Sequence, residues 1–337
     1  MPNALQVVGF FCALLIAYPA IAWLERRSAL DVLRPYRLLR TPLLPLADVL
    51  KHLAKRGSIP AEADAFQMRL APFIGLLPVV LVIAALPVAP VVDGPTQVSL
   101  TDGSAPILMP FAFLLLSTLG IAFGGAGSGN PLALLTSLRL CLVRISTLLT
   151  SVIACLSIAR LSHSPTLSGV VMGQLAPLSK WTGALPAWGI LASPLAFATA
   201  LLSLALLAQR MHRSRMDHLH DLEESYVAKI SGPLLLVTRV FEILDLFAGA
   251  CLLTVFFLGG WSLPGLDVTE ALPSLNIGLL HAAVFLGKAI ALSAAIVFLR
   301  RGLPSFSAGQ LWRLVWLILL PTATLSFFLP LSAFLPG

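Results

Sequence analysis

Long apolar runs separated by short polar breaks dominate this chain. Eight of them approach the about 20 residues that a helix needs to cross a hydrocarbon core of about 30 Å. They lie at roughly 5–23, 70–92, 107–124, 133–158, 187–208, 232–258, 277–299 and 311–334. Gly and Pro recur inside them, as membrane helices tolerate because neighbouring helices re-satisfy freed backbone groups. The pattern predicts an all-α integral membrane protein of about eight transmembrane helices, forming a single membrane domain over residues 1–337.

A different periodicity occupies 42–56, inside the longest polar segment (24–69). Leu43, Leu46, Ala47, Leu50, Leu53 and Ala54 follow the i, i+3, i+4, i+7 spacing of one helix face. Asp48, Lys51, His52, Lys55 and Arg56 take the other face. This predicts an amphipathic interfacial helix, either an anchor lying in the membrane surface or a lid over a cavity there.

Composition sharpens the picture. Hydrophobic residues make up 58% of the 337 and charged residues 11%, against about a quarter charged in soluble domains. No stretch between the spans is long enough for a separate catalytic domain. The formal charge of +7 is not gathered into a basic patch with interleaved aromatics, so it does not point to nucleic acid. It reads as topology instead. Sixteen Lys and Arg fall in 24–69, 209–231 and 299–313, against Arg160 and Lys180 on the other side. The positive-inside rule then puts both termini outside and the three basic loops in the cytoplasm. Ala20-Ile21-Ala22 resembles a signal-peptidase site, but no Lys or Arg precedes the first apolar run and Glu25-Arg26-Arg27 follows it. That is the reverse of a signal peptide's polarity, so the run reads as a retained helix.

Charges inside the spans are costly and therefore functional candidates. Arg139 and Arg144 lie on the fourth span, Arg239, Glu242 and Asp245 on the sixth, and Lys288 on the seventh. Two acids and several cations at comparable depth form either static ion pairs that specify packing or a proton or ion path. Lys288 is expected to pair with Glu242 or Asp245. Cys12, Cys141, Cys155 and Cys251 sit in apolar runs without CxxC spacing and read as small buried hydrophobes. The His- and acid-containing stretch Asp217–Glu224 carries a metal hypothesis, but His218 and His220 would diverge on a helix. The run Gly124–Gly129 lacks the Gly-Lys-Ser/Thr of a phosphate loop and reads as a tight turn. Neither a nucleophilic triad nor paired catalytic carboxylates stand out, so neither a catalytic residue nor a metal is assigned.

An ordered series of short motifs resembles a known family. Glu25-Arg26-Arg27, Pro45–Lys51, Ile59–Asp64 and Ala71-Pro72 are followed by Ser117–Gly120, Ala133–Leu135, Leu138-Arg139 and Ile145-Ser146. Ser231-Gly232, Glu242 and Phe257–Trp261 come next, then Lys288, Arg300, Leu303-Pro304, Gln310-Leu311, Arg313, Trp316 and Leu320-Pro321. Together they are similar to the H subunit of the proton-pumping NADH:quinone oxidoreductase, called subunit 1 in mitochondrial complex I. The resemblance implies a cell inner membrane subunit, not catalytic alone, that binds quinone as substrate. Its partners would be other subunits of a multi-subunit redox complex, with Fe–S clusters and FMN held by them, and membrane lipid. It implies that Glu25, Arg26, Asp48 and Lys51 border the quinone chamber. It further implies that Arg139, Arg144, Arg239, Glu242, Asp245 and Lys288 form an intramembrane polar axis linking redox chemistry to proton translocation. Several family acids are absent: Leu148 and Gln209 stand where glutamates are expected, Arg213–Glu224 replaces an acidic loop, and Asp31–Thr41 is shorter than the family's Gly-Pro-Asn-containing loop. The same architecture also fits the homologous subunit of a membrane-bound hydrogenase or formate-oxidising complex, and, with the resemblance set aside, an independent transporter or structural anchor.

Overall fold

The computed structural model describes residues 18–23, 44–88, 105–175, 188–216, 226–262, 274–304 and 306–328. Among them the fold is all-helical apart from one isolated bridge, Pro106 to Thr166. The elements are α1 (Leu44–Ala54), α2 (Ala65–Ala85), α3 (Met109–Gly127), α4 (Pro131–Ser162), α5 (Leu167–Gly173), α6 (Gly189–Ala192), α7 (Pro194–Met216), α8 (Pro233–Phe257), α9 (Ser274–Gly302), α10 (Ala308–Leu314) and α11 (Leu320–Phe328). A short 3₁₀ turn, Tyr226–Lys229, precedes α8, and a π-helical segment, Val315–Leu319, joins α10 to α11.

Among the described residues, six helices are long and apolar enough to cross a membrane: α2, α3, α4, α8, the Leu280–Arg300 part of α9, and Gly309–Phe328. The chain is thus an integral membrane protein of multiple spans. Two of the eight expected spans differ. Most of the first lies outside the described residues, which hold only 18–23 of it, largely in helical form. The fifth is interrupted at Ser193, leaving α6 as a single turn and an apolar stretch of only Pro194–Ala208 in α7. Pro194 is the cause: it lacks an N–H to continue the preceding turn but suits the first position of a new helix. The last span is also irregular, since the π segment lies within it.

Local sequence sets the ends of the spans. Asp64 caps α2, accepting from the backbone N–H groups of Phe66 and Gln67. Asn130 caps α4 by accepting from Leu132 N–H, with Pro131 at the first helical position. Central to the bundle is α8, most of whose apolar window is buried. It packs against α1, α2, α4, α5, α6, α7 and α9.

The expected turn at Gly124–Gly129 is mostly helix. Gly124, Gly125 and Gly127 belong to the last turns of α3, and only Ser128–Asn130 forms the turn, with Gly129 at φ +67°. The glycines serve close packing of the kind small residues permit in membranes. A Cβ on Gly120 would stand 2.5 Å from the backbone N of Gly75 and 2.8 Å from the Ala71 carbonyl oxygen. One on Gly124 would meet the Tyr226 ring at 2.5 Å.

The helix expected at 42–56 is present as α1, Leu44–Ala54. Its protein-facing side is formed by Pro45, Asp48, Val49 and His52, while Leu46, Leu50 and Leu53 are exposed. An amphipathic helix lying in a membrane interface would present its apolar residues in this way.

The α2–α3 contact yields the first prediction. Gly120→Val forces apart two backbones that cannot yield as side chains do, at a cost of at least the about 1–3 kcal/mol of ordinary overpacking. Gly287→Ala meets no heavy atom within 4 Å and is expected to be neutral or slightly stabilising. Thermal unfolding of the two variants in detergent checks this, and equal midpoints would contradict the packing.

Candidate functional site

Five serines and threonines along α4 begin the site. Ser146, Thr147, Thr150, Ser151 and, further on, Ser157 donate their hydroxyl protons to carbonyls three or four residues back. That leaves lone pairs facing out from the helix along a buried face. Ser151 also meets Ser203 of α7 at 2.7 Å between Oγ atoms. On the same helix Arg144 is fully buried, where an uncompensated charge is costly.

Compensation comes from Asp245 on α8, itself only 7% exposed. The guanidinium donates to both carboxylate oxygens, Nη1 to Oδ2 at 2.7 Å and Nη2 to Oδ1 at 2.5 Å. Nη2 also donates to Ser117 Oγ on α3 at 2.6 Å, and the Phe241 ring centroid lies 5.8 Å from the guanidinium carbon. The bidentate fork fits the geometry of Arg with a carboxylate. Three helices therefore meet at one ion pair, buried among them.

One turn before Asp245, Glu242 borders a cavity of about 20 Å³ shared with Thr136, Ser137, Tyr226 and Thr238. That volume holds about one water molecule, and several polar groups are there to bind it. The hydroxyls of Thr136, Ser137 and Thr238 donate to carbonyls of their own helices and so present acceptors to the cavity. Burial, and then the Glu242 carboxylate, push the Tyr226 phenol well above its ordinary range, so it stays neutral and can donate. Nearer the end of the bundle that carries α1, Arg239 Nη1 lies 3.3 Å from His52 Nε2. The Arg239–Glu242–Asp245 series on α8 thus runs from the surface helix to the buried ion pair.

The structure joins only part of the expected polar axis. Arg239, Glu242 and Asp245 follow one another at i+3 steps on α8 and Asp245 meets Arg144, whereas Arg139 is on an exposed face of α4, five residues and about 140° away from Arg144. Asp48 is half-buried on the protein side of α1 and Lys51 is exposed. Glu25 and Arg26 lie outside the described residues, as do Asp31–Thr41 and the Asp217–Glu224 stretch. Leu148 is buried in the apolar core, so apolar packing fills the place of an expected glutamate. The described cysteines, Cys141, Cys155 and Cys251, are free and buried.

The expected pairing of Lys288 with Glu242 or Asp245 is incorrect. Lys288 Nζ donates to three carbonyls just past the end of α8: Leu258 at 2.7 Å, Gly260 at 3.2 Å and Ser262 at 2.5 Å. It also lies 4.7 Å from the Trp188 ring centroid. Leu258 is thirteen residues beyond Asp245, about 20 Å along the helix. Counting depth from the sequence ends of the spans places the lysine too near the acids. What Lys288 neutralises is the negative end of the α8 dipole and carbonyls that have no further helix to bond. Gly259 and Gly260, at φ +67° and +54°, bend the chain so that these carbonyls converge.

Two further residues, unmarked by charge or motif, complete this end. Gln174 is buried; its Oε1 accepts from Gly189 N–H at 3.1 Å and Gly259 N–H at 3.0 Å, and its Nε2 donates to the Val255 carbonyl at 2.9 Å. Trp188 covers the lysine. A polar residue just past a short helix was the only available signal.

Lys288→Met removes a charged donor from three carbonyls and is expected to cost about 2–3 kcal/mol, since hydrogen bonds to charged groups are worth roughly 1.5–3. Denaturant unfolding of Lys288→Met and of Lys288→Met with Asp245→Leu checks the assignment. The two changes are expected to add, as distant sites do; rescue of one by the other would restore the rejected pairing.

The sequence pattern of the NADH dehydrogenase family matches residues 5–331. The chain is 29% identical over 330 residues to the second NADH-quinone oxidoreductase H subunit of Rhizobium meliloti, covering 94% of each chain. It is 29% identical over 308 residues to the first such H subunit of Geobacter metallireducens, covering 90% of this chain and 85% of the relative. With the NADH-quinone oxidoreductase H subunit of Geobacillus kaustophilus it shares 30% identity over 292 residues, 85% of this chain and 79% of the relative. The chain belongs to the NADH dehydrogenase family, as a divergent member of the H subunits of NADH-quinone oxidoreductase.

Proposed function

We propose that this chain is the membrane subunit of a complex I-type NADH:quinone oxidoreductase that stands between the redox arm and the proton-translocating membrane arm. The observation that carries the reading is correspondence along nearly the whole chain with relatives named as H subunits. The series from half-buried His52, Arg239 and Glu242 to the buried Asp245–Arg144 pair supports it, because it offers titratable groups and room for about one water beside Glu242. In this reading α1, with Asp48 and Lys51, borders the quinone chamber together with Glu25 and Arg26. The basic loops face the cytoplasm and receive the peripheral subunits, where the flavin and Fe–S clusters reside. Glu242 exchanges protons with a water in the adjoining cavity. Asp245 is engaged on both oxygens by Arg144 and ties α8 to α4. With Leu148 apolar, the proton course relies on fewer acids than the family pattern has.

A tagged copy expressed in its own host, extracted in mild detergent, tests the assembly. It is expected to bring down flavin- and Fe–S-bearing subunits and NADH-dependent quinone reduction. Single cysteines at Ser58 and Ser214 are expected to react only with membrane-permeant reagents in intact cells. Isolation as a lone protein with transport activity, or with a hydrogenase in place of an NADH-oxidising arm, would overturn the assignment.

A further inference from the structure

On the face of α8 turned away from the Arg239–His52 contact, a groove of about 430 Å³ opens between the α1–α2 connection, α2 and the start of α8. Ser58, Arg69, Phe73, Ser231, Leu234 and Val237 line it. The upper wall is a fixed seam. Ser58 and Ser231 bond through backbone and side chain, with their Oγ atoms 2.7 Å apart. Gly232 (φ +71°) is packed so tightly on Gly57 that a Cβ there would lie 2.8 Å from the Gly57 Cα. Ser231 Oγ also reaches the Arg56 carbonyl at 3.4 Å, so a hydroxyl proton is left for a ligand when Ser231 donates to Ser58 Oγ and the Ser58 proton turns to the groove. Exposed Lys55 and Arg56 immediately precede Gly57 at the rim.

Below Arg69 the chemistry changes abruptly. Phe66, Leu70, Phe73 and Leu77 form one exposed stripe on α2, with Phe73 53% and Leu77 67% exposed. From Phe66 to Leu77 the stripe runs about 16 Å. A guanidinium and hydroxyls at the top of a long apolar track match an amphiphile with an anionic head. We propose that this groove holds one anionic phospholipid, its phosphodiester against Arg69 and the serine pair and an acyl chain along Phe73 and Leu77. Arg69 supplies two parallel donors to phosphate oxygens. Lys55 and Arg56 add attraction for an anionic head over a zwitterionic one, each basic residue near a lipid surface being worth about fivefold in binding. The volume suits the head alone, and the chain lies outside it along α2. The site is separate from the proposed quinone chamber, because residues 234 and 237 point to a different side of α8 from Arg239.

The test uses the intact complex reconstituted into vesicles carrying trace phosphatidylglycerol with a photoactivatable acyl chain, or the matching phosphatidylcholine probe. After illumination, the labelled peptides are identified by mass spectrometry. The anionic probe is expected to label 65–77 more than the zwitterionic one, by at least about fivefold. Lys55→Gln with Arg56→Gln is expected to abolish that preference, Arg69→Gln to lower labelling by both probes about fivefold, and Val237→Trp, which fills the groove and keeps the charge, to lower labelling by both probes as well. Assembly of each variant is confirmed by subunit content; should Arg69→Gln fail to assemble, Val237→Trp decides. Equal labelling by the two probes, or labelling indifferent to Val237→Trp, overturns the proposal. So does a disulfide from Phe73→Cys to a partner subunit, which would show that a protein helix fills the groove. The outcome is independent of NADH-dependent quinone reduction, so the lipid site and the proposed function fail separately.

Discussion

A fully buried arginine must be answered by its surroundings, and the way Arg144 is answered organises the middle of this protein. Desolvating an ion costs several kcal/mol even after relaxation. Asp245 and Ser117 together supply three hydrogen bonds to its Nη atoms. These groups come from α8 and α3, so α4 cannot rotate or slide against either without breaking a charged contact. Apolar packing in a membrane discriminates weakly between registers, because lipid tails are as apolar as side chains. The ion pair supplies the discrimination, and the Gly120–Gly75 contact fixes how closely α3 approaches α2.

The same pair shapes the chemistry nearby. It engages both carboxylate oxygens of Asp245, while Glu242, one turn earlier, borders a small polar cavity with Tyr226. Lys288 closes the far end of α8 by binding carbonyls, not acids, and so contributes rigidity to the helix that carries Arg239, Glu242 and Asp245. Both ends of α8 are thus tethered: the first by the Ser58–Ser231 seam, the last by Lys288 and Gln174.

Much of this was legible in the sequence. Apolar run length marked the spans, helical spacing of leucines marked α1, and charges within apolar runs marked Arg144, Glu242 and Asp245. What escaped was three-dimensional. Lys288 and the acids look level when span ends are taken as membrane boundaries, whereas α8 ends at Phe257 against the middle of α9. The Gly124–Gly129 run resembles a loop because helix propensity disfavours glycine, a rule that close helix packing overrides. Ser193-Pro194 divides an apolar run that hydropathy reads as continuous. Gln174, Tyr226 and Ser117 carry no charge at neutral pH, and only their burial reveals their roles. The family was readable from ordered short motifs, none of them distinctive alone.

The central claim is that Arg144 and Asp245 act as one unit, and a double-mutant cycle on Arg144→Met and Asp245→Leu tests it most directly. Each single change leaves an uncompensated buried charge and is expected to cost about 3–5 kcal/mol of unfolding free energy. The double variant, with two apolar side chains facing each other, is expected to lose far less than the sum, and less than either single change. Additive losses, or single variants as stable as the parent protein, would contradict the account.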